Sequence, residues 1–161
     1  MPIHEYRFQI PGDPEGCRRP RGRAIRTGTD NWTGEATYSC RMHKAPQDRY
    51  WQAFVQGQWM QVQGRQAAPK GTPVNVLIQC YFRMPKSASA RWREQMREKL
   101  CTKKPDLDNV AKNVLDALTA SGTAWADDSQ IARLSITKRW CGEDEEPMTD
   151  VLIMWRDEDV P

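Results

Sequence analysis

The chain has no Cys-x-x-Cys pair, although it contains five cysteines. An odd number of cysteines without such a pair suits neither a disulfide framework nor a zinc ribbon, so the thiols are predicted to be free and reduced. Residues 40–43 offer one cysteine and one histidine to a metal, but a zinc finger needs a second pair at fixed spacing. Structural zinc is therefore not expected.

Long apolar runs are also missing. No segment approaches the roughly 18 apolar residues that a membrane-spanning helix requires, and the N-terminus lacks the charged and then apolar layout of a signal peptide. The composition, 39% hydrophobic and 28% charged, is typical of a soluble globular protein. We therefore expect a cytoplasmic protein without a membrane partner, and its 161 residues fit one domain with a real core.

Net charge is small, at +3, but its distribution is uneven. Residues 17–44 lack sustained periodicity and predict a long basic loop or an irregular hairpin, a kind of segment that is often functional. Arginine forks suit bidentate contacts with phosphate, and Trp32 and Tyr38 are available to stack on an unpaired base. The alternative is a solvated loop. The arginines concerned are Arg18, Arg19, Arg21, Arg23 and Arg26.

The most informative stretch, residues 103–112, reads Lys-Lys-Pro-Asp-Leu-Asp-Asn-Val-Ala-Lys. Pro105 disfavours helix at the preceding residue, and Asp108 has the side chain of an N-cap, so a helix is predicted to begin there. Helical spacing then places Lys112 over Asp108, on a polar face opposite an apolar one. The structural alternative is that these aspartates only cap a turn and a helix.

A second acidic pair, Asp127 and Asp128, follows this helix. Neighbouring residues of an extended segment point to opposite sides, so we expect only one of the two to face Asp106 and Asp108. Carboxylates from both segments would make a site for a hard cation such as Mg²⁺. With the fixed charge of Lys112 beside it, such a site suits phosphate chemistry.

These residues resemble a known signature. The runs 104–109, 116–118 and 127–131, together with Lys112, are closely similar to the motif of the RusA family of Holliday-junction endonucleases. A weaker likeness covers residues 10–12, the Arg19-Pro20-Arg21 run and residues 74–87. The family's usual lysine before Arg-Pro-Arg is replaced here by Cys17-Arg18, which keeps the positive charge.

The resemblance implies a Mg²⁺-dependent endonuclease that resolves four-way DNA junctions by paired symmetric cuts. It implies one or two ions per site, with Mn²⁺ able to replace Mg²⁺, and no small-molecule cofactor. It also implies a homodimer that acts on branched DNA and is encoded by a bacterium or a bacteriophage.

The resemblance also implies residue roles. The catalytic residues would be Asp106, Asp108, Lys112 and Asp127, of which the three aspartates would be the metal ligands. Three further residues are expected to position these ligands without binding the metal themselves: Asp128, Asn109 and Asp116. The DNA-binding residues would be Arg18, Arg19, Arg21, Arg23, Lys103 and Lys104.

Periodicity along the chain predicts the fold class. We expect an α+β fold, a single RusA-like nuclease domain over residues 1–161, with two to three helices packed on a mixed β-sheet of four to five strands. Predicted strands cover residues 4–10, 74–82, 130–140 and 148–155. Predicted helices cover about 46–60, a charged segment from Ser87 or Ser89 to about Leu100, and the first half of the catalytic segment 104–131.

Four finer expectations concern packing. The strand 74–82 is expected to be central and buried on both faces, and residues 141–147 are expected to join the last two strands as a hairpin. In the first helix, Tyr50, Trp51, Phe54 and Val55 are expected to be core residues. In the strand 130–140, Ala132, Leu134, Ile136 and Trp140 are expected to face inward.

Three other functions compete with a junction resolvase. An Asp-x-Asp after a strand also holds the metal and diphosphate of nucleotide-sugar transferases, but this chain is short for such an enzyme. The carboxylates would be structural in a DNA-junction-binding protein without activity. An active nuclease with a broader branched-DNA range is the third alternative.

Overall fold

A computed structural model of the chain describes residues 2–17, 21–43, 46–142 and 144–161. Within these ranges the chain forms three α-helices, a mixed four-stranded sheet and a separate two-stranded sheet, which confirms the predicted single α+β domain. The elements are β1 (Ile3–Pro11), β2 (Arg21–Thr29), β3 (Ala36–His43), α1 (Pro46–Met60), β4 (Val74–Phe82), α2 (Ala90–Met96), α3 (Leu107–Ser121), β5 (Ile131–Trp140) and β6 (Met148–Arg156).

The strand order in the larger sheet is β1-β6-β4-β5. β5 runs parallel to β4, while β6 is antiparallel to both β1 and β4. The predicted hairpin between β5 and β6 is therefore wrong, because β4 lies between them. The segment that joins β4 to β5 contains α2 and α3, which is long enough for a parallel crossover.

β4 is the centre of this sheet, as predicted. Its alternate residues are buried on the face that carries the helices, and those on the other face are only half-buried. The prediction that both faces are buried is therefore wrong. Burial raises the pKa of the Cys80 thiol to about 12, which keeps this side chain neutral in the core. The buried residues of β4 are Val74, Val76, Ile78, Cys80 and Phe82.

Helices α1 and α3 lie side by side and run in the same direction. The Nε2 of Gln52 donates to Oδ1 of Asn113 at 3.1 Å, and the Nε2 of Gln56 donates to the backbone oxygen of Ala117 at 2.9 Å. In each pair the two partners are 61 residues apart in sequence. A step along α1 is therefore matched by an equal step in the same direction along α3. The first of these bonds is buried.

The prediction for the aromatic residues of α1 is half right. Trp51 and Val55 are buried, because they lie on the stripe of the helix that faces the sheet. Tyr50 and Phe54 are 77% and 42% exposed, so their assignment to the core is wrong. One residue corresponds to a rotation of about 100° around an α-helix, which carries residues 50 and 54 off the buried stripe.

The edge strand β5 also departs from prediction. Trp140 is buried and Ile136 is half-buried, as expected, but Ala132 and Leu134 are exposed. β5 has a neighbouring strand on one side only, so its early residues gain less cover than those of β4. The assignment of these two residues to the core is wrong.

Two further segments differ from the prediction. The basic segment before α1 is more ordered than expected, and the helix before α3 is shorter than expected. β2 and β3 form an antiparallel hairpin with an irregularity between Arg26 and Gly28, which is the hairpin alternative for this basic segment. α2 is capped by Ser89, whose side chain accepts from the Trp92 amide, but it ends at Met96 rather than near Leu100. No helix in the described ranges is long and apolar enough to cross a bilayer.

The buried amide pair between α1 and α3 leads to a prediction. Asn113→Ala should lower the free energy of unfolding by about 1–3 kcal/mol, because it leaves the Gln52 amide buried without its partner. Urea denaturation followed by circular dichroism measures the change. The control is the double variant Gln52→Met with Asn113→Leu, which should recover most of the loss, since it removes both polar groups. Equal loss in both variants would contradict the role of the hydrogen bond.

Candidate active site

The N-cap of helix α3 lies two residues before the predicted position. Its N-cap is Asp106, in an extended conformation, and the side chain of Asp106 makes no capping hydrogen bond. Its backbone oxygen accepts from the Val110 amide at 3.2 Å. The assignment of Asp108 as N-cap is therefore wrong, and Asp108 lies in the first turn, where a carboxylate is stabilised by the helix dipole.

The segment that leads into α3 is held by a lysine of β5. The Nζ of Lys138 donates to the backbone oxygens of Lys103 at 2.7 Å and Pro105 at 3.0 Å. From the other side, the Cys17 amide donates to the Asn109 backbone oxygen at 3.0 Å. The position of Asp106 is thus fixed by contacts from two separate parts of the chain.

Lys138 was missed by sequence reasoning, although a signal was present. It occupies the same phase of β5 as Ile136 and Trp140, where the alternation calls for an apolar residue. A lysine in that phase indicates that its ammonium reaches something specific. Here it reaches backbone oxygens next to the acidic pair.

A cleft of about 460 Å³ opens beside this segment. Its walls bring Glu15 and Asn109, which is half-buried, next to Asp106. Gly16 is required here, because an added Cβ would lie 2.7 Å from the Cβ of Pro105. The cleft is lined by Pro14, Glu15, Gly16, Cys17, Lys104, Pro105, Asp106 and Asn109.

The polar side chains at the start of α3 point to solvent. Asp106, Asp108 and Lys112 are all exposed, and none of their three side chains makes a hydrogen bond or an ion pair with another described residue. Asp116, one turn beyond Lys112, is half-buried. The two carboxylates and the ammonium are therefore available to a ligand. We name Asp106, Asp108 and Lys112 the α3 site.

Asp127 lies at the opposite end of the helix, as the N-cap of a short 3₁₀ turn over Asp128–Gln130. Its carboxylate accepts from the Ser129 amide at 2.9 Å, while the Oε1 of Gln130 accepts from the Ala126 amide at 2.9 Å. Hydrogen bonds from the Ser129 side chain and backbone hold the pKa of Asp127 below its ordinary value. Asp127 is therefore ionised, and the exposed Asp128 follows it.

Gln130 anchors this turn to the start of β4. Its buried Nε2 donates to the backbone oxygens of Pro69 at 2.8 Å and Thr72 at 3.1 Å. Ile131, the next residue, pairs with Val74 at the beginning of β4. Asp127 thus belongs to the edge of the sheet where β4 and β5 begin.

The two acidic segments are far apart within one chain. α3 has 15 residues, which at 1.5 Å per residue separates its ends by about 22 Å. β5 gives the same result, because Lys138 at one end and Ile131 at the other are separated by about 23 Å of strand. Among the described residues no group of three histidine, cysteine or acidic side chains could hold a metal ion. The expected meeting of Asp127 with Asp106 and Asp108 does not occur within a single chain.

The predicted DNA-binding residues fall in three places. Arg18 and Arg19 lie outside the described residues. Arg21 and Arg23 lie on β2, in register with His43 and Arg41.

The two lysines of this set, Lys103 and Lys104, are exposed beside the α3 site. The Nζ of Lys103 is 3.8 Å from Oδ1 of Asp13. The two aromatic residues of the hairpin, Trp32 and Tyr38, are 97% and 64% exposed, as stacking on a base requires.

A family of DNA endonucleases matches this chain. The model described as Endodeoxyribonuclease RusA covers residues 11–154, which contain both acidic segments. The protein belongs to the RusA family. It is also 31% identical to Uncharacterized protein YqaN of Bacillus subtilis (strain 168) over 151 residues, which are 91% of this chain and 94% of that protein. Family membership favours an endonuclease over the nucleotide-sugar transferase alternative.

The contacts of Lys138 generate a prediction. Lys138→Met keeps the aliphatic stem but removes the donors to Lys103 and Pro105, so the amides of residues 106–110 should exchange faster with solvent. The free energy of unfolding should fall by about 1.5–3 kcal/mol, the value of hydrogen bonds to a charged group. Hydrogen exchange by mass spectrometry or NMR measures the first effect. Lys70→Met, at an exposed position, is the control, and equal exchange in the two variants would show that Lys138 does not hold the segment.

Proposed function

We propose that this protein is a Mg²⁺-dependent endonuclease that resolves four-way DNA junctions by hydrolysing phosphodiester bonds in paired symmetric cuts. The observation that carries the proposal is the α3 site: two exposed carboxylates and an ammonium, without partners among the described residues, in a member of an endodeoxyribonuclease family.

The carboxylate oxygens of the α3 site are the kind of ligand that Mg²⁺ prefers. This ion prefers oxygen ligands and is commonly held by one or two carboxylates, with water and substrate phosphate completing its coordination. Asp106 and Asp108 supply two carboxylates, and neither is used to cap the helix through its side chain. Bound Mg²⁺ supplies positive charge that polarises a phosphoryl oxygen and lowers the pKa of a coordinated water.

Lys112 has a separate role in the proposal. It is exposed one turn after Asp108, on the same side of α3. Its ammonium neutralises negative charge that develops on the phosphate oxygens in the transition state, which is a common source of rate enhancement. The N-terminal end of α3 adds partial positive charge for the same anion.

The separation of the acidic segments leads us to propose a homodimer with shared sites. Each site combines Asp106, Asp108 and Lys112 of one chain with the partner's Asp127, since Asp127 of the same chain follows the far end of α3, a helix about 22 Å long. Two equivalent sites in a two-fold dimer fit the two equivalent scissile phosphates of a two-fold symmetric junction. Asp128, Asn109 and Asp116 are neighbours that support the ligands.

The basic residues complete the proposal. Lys103 and Lys104 directly precede the α3 site and would contact the phosphates next to the scissile bond. Four arginines of the basic segment 17–44 would bind the arms of the junction through phosphate. These are Arg18, Arg19, Arg21 and Arg23.

Cleavage assays on labelled substrates test the activity. Wild-type protein should cut a four-way junction only with Mg²⁺ present, and Asp106→Asn and Asp127→Asn should each lose at least the 10- to 100-fold that removal of a metal-supporting group costs. Junction binding should persist in both variants. Asp159→Asn, at an exposed carboxylate near the C-terminus, is the matched control.

The same assay separates the alternatives. Cleavage by either variant at the wild-type rate would remove that residue from the site. Equal cleavage of linear duplex would contradict junction specificity and favour a broader branched-DNA nuclease. Binding of the junction by the wild type without any metal-dependent cut would favour a junction-binding protein without activity.

Mixing two inactive variants tests whether the sites are shared. In a shared arrangement, a heterodimer of Asp106→Asn and Asp127→Asn chains has one site with both substitutions and one intact site. Subunit exchange between equal amounts should restore about a quarter of the wild-type sites, seen as single-strand nicks in the junction. If each site lay within one chain, every site in the mixture would carry a substitution, and no activity would return.

A further inference from the structure

Trp32 differs from every other tryptophan of this protein. The chain contains seven tryptophans, and the other six are buried or half-buried, as is usual for so large a side chain. Trp32 is 97% exposed, and its indole makes no hydrogen bond or ring contact with another described residue. Packing within the chain therefore gives this ring no role.

The turn that carries Trp32 is held by Asp30. Oδ1 of Asp30 accepts from the amides of Trp32 and Thr33, both at 2.8 Å, and from Oγ1 of Thr33 at 3.1 Å. Hydrogen bonds from Thr33 and Trp32 hold the pKa of Asp30 below its ordinary value. Across the turn, the Asp30 amide donates to the Glu35 oxygen at 2.7 Å. The backbone beneath Trp32 is thus fixed, although its side chain contacts nothing.

The β2–β3 hairpin that ends in this turn is an arm without a core. Between residues 24 and 39, all of which the structure describes, no side chain is buried. A two-stranded hairpin of this kind is marginally stable in water, so the hydrogen bonds of its turn matter for its shape. The nine residues of β2 span about 26 Å. Trp32 is therefore presented at the tip of a long, narrow ribbon.

The charge of the arm favours a nucleic acid as its partner. β2 and β3 contain four arginines and no acidic residue, and the Asp30 carboxylate is occupied by the amides of the turn. A two-stranded ribbon is narrow enough to enter the major groove of DNA, and arginine binds phosphate well. These properties suit DNA better than an apolar surface of another protein.

The base of the arm lies beside the α3 site. The Cys17 amide donates to the Asn109 backbone oxygen at 3.0 Å, and β2 starts at Arg21, which an extended chain reaches from Cys17 within about 14 Å. Adding the length of the arm puts Trp32 within roughly 40 Å of the α3 site. One turn of DNA is about 35 Å long. Both can therefore contact the same short stretch of DNA.

An indole at the tip needs the flat face of a base, and few base faces are open. In an intact duplex each base pair is covered on both sides, and a side chain that enters must first unstack a step. At a branch point the continuous stack is interrupted, so the pairs that flank it offer a face without that cost. Stacking on an aromatic ring is tolerant of sequence, because every base has such a face.

We propose that Trp32 recognises the branch point of a DNA junction, where its indole stacks on a flanking base pair that has lost its neighbour. Asp30 is a positioning residue, because it holds the turn that presents the ring. The inference rests on the proposed function, since it takes branched DNA as the substrate, and it names the residue that distinguishes a branch from a plain duplex.

Binding of the full chain to two probes tests the proposal. The probes are a synthetic four-way junction and a linear duplex of the same arm sequence, both without Mg²⁺ so that neither is cut. Trp32→Ala should weaken junction binding by roughly 5- to 150-fold, the value of one base stacked on an aromatic ring, and leave duplex binding unchanged. Trp32→Phe should keep most of the junction affinity. An unchanged junction affinity in Trp32→Ala, or an equal loss on both probes, would overturn the proposal.

Tyr38→Thr is the matched control. Tyr38 is the other exposed aromatic residue of the arm, but it lies within β3, in register with Arg26, and threonine is also a good strand former. The ratio of junction to duplex affinity should stay at the wild-type value. A fall equal to that in Trp32→Ala would contradict a role specific to the tip.

Asp30→Ala tests the positioning role. It keeps the indole but releases the turn, so the ratio of junction to duplex affinity should fall part of the way towards that of Trp32→Ala. The ratio is the useful readout, because loss of a negative charge strengthens binding to both probes alike. In the double variant the ratio should fall no further than in Trp32→Ala alone. Additive losses would show that Asp30 does not act through Trp32.

A fluorescent adenine analogue reports the stacking itself. Placed beside the branch point, its emission should change when saturating wild type or Tyr38→Thr binds, and should not change with Trp32→Ala. The same analogue near the end of an arm should respond to none of the three. Equal responses to the wild type and to Trp32→Ala beside the branch point would refute the contact.

Failure of this proposal and failure of the proposed function are distinguishable, because binding is measured without cleavage. If the wild type cuts junctions and Trp32→Ala binds them as tightly, the function stands and the role of Trp32 is wrong. If Trp32→Ala alone loses junction preference and the wild type cuts no DNA with Mg²⁺, the role of Trp32 stands and the nuclease is wrong.

Discussion

The parallel packing of α1 and α3 over one face of the sheet is the constraint on which the rest of the structure depends. The buried hydrogen bond between Gln52 and Asn113 fixes the axial position of one helix relative to the other. Lys138 of β5 contacts the segment before α3, and the turn that follows α3 leads into the first residue of β5, so the two ends of α3 lie near opposite ends of this strand. The positions of both acidic segments follow from that placement.

Each acidic segment is anchored to the rest of the fold by a side chain that donates hydrogen bonds to backbone oxygens. Lys138 holds the chain before Asp106, and Gln130 holds the turn after Asp127. The carboxylates of the α3 site are thereby left to solvent, while their backbone positions stay defined. Donors that are placed but unused are what a binding site requires before its ligand arrives.

Within one chain the two acidic segments are separated by about the length of α3, which is why the proposed site needs a partner. The same chain exposes an apolar stripe on α1, including Tyr50 and Phe54, which sequence reasoning assigned to the core. By pattern alone, apolar residues on the exposed side of a helix are indistinguishable from those of its buried stripe.

The sequence by itself determined the local elements and the residue types of the proposed site. The strands β1, β4 and β6, the helix α1, and the donor types of Asp106, Asp108, Lys112 and Asp127 follow from periodicity, turn residues and a motif that family membership bears out. Only the tertiary structure decided that β4 separates β5 from β6, that Lys138 holds the segment before α3, and that the acidic segments lie far apart. Periodicity and capping act over a few residues, whereas strand order depends on which distant surfaces bury β4, and no local pattern encodes that choice.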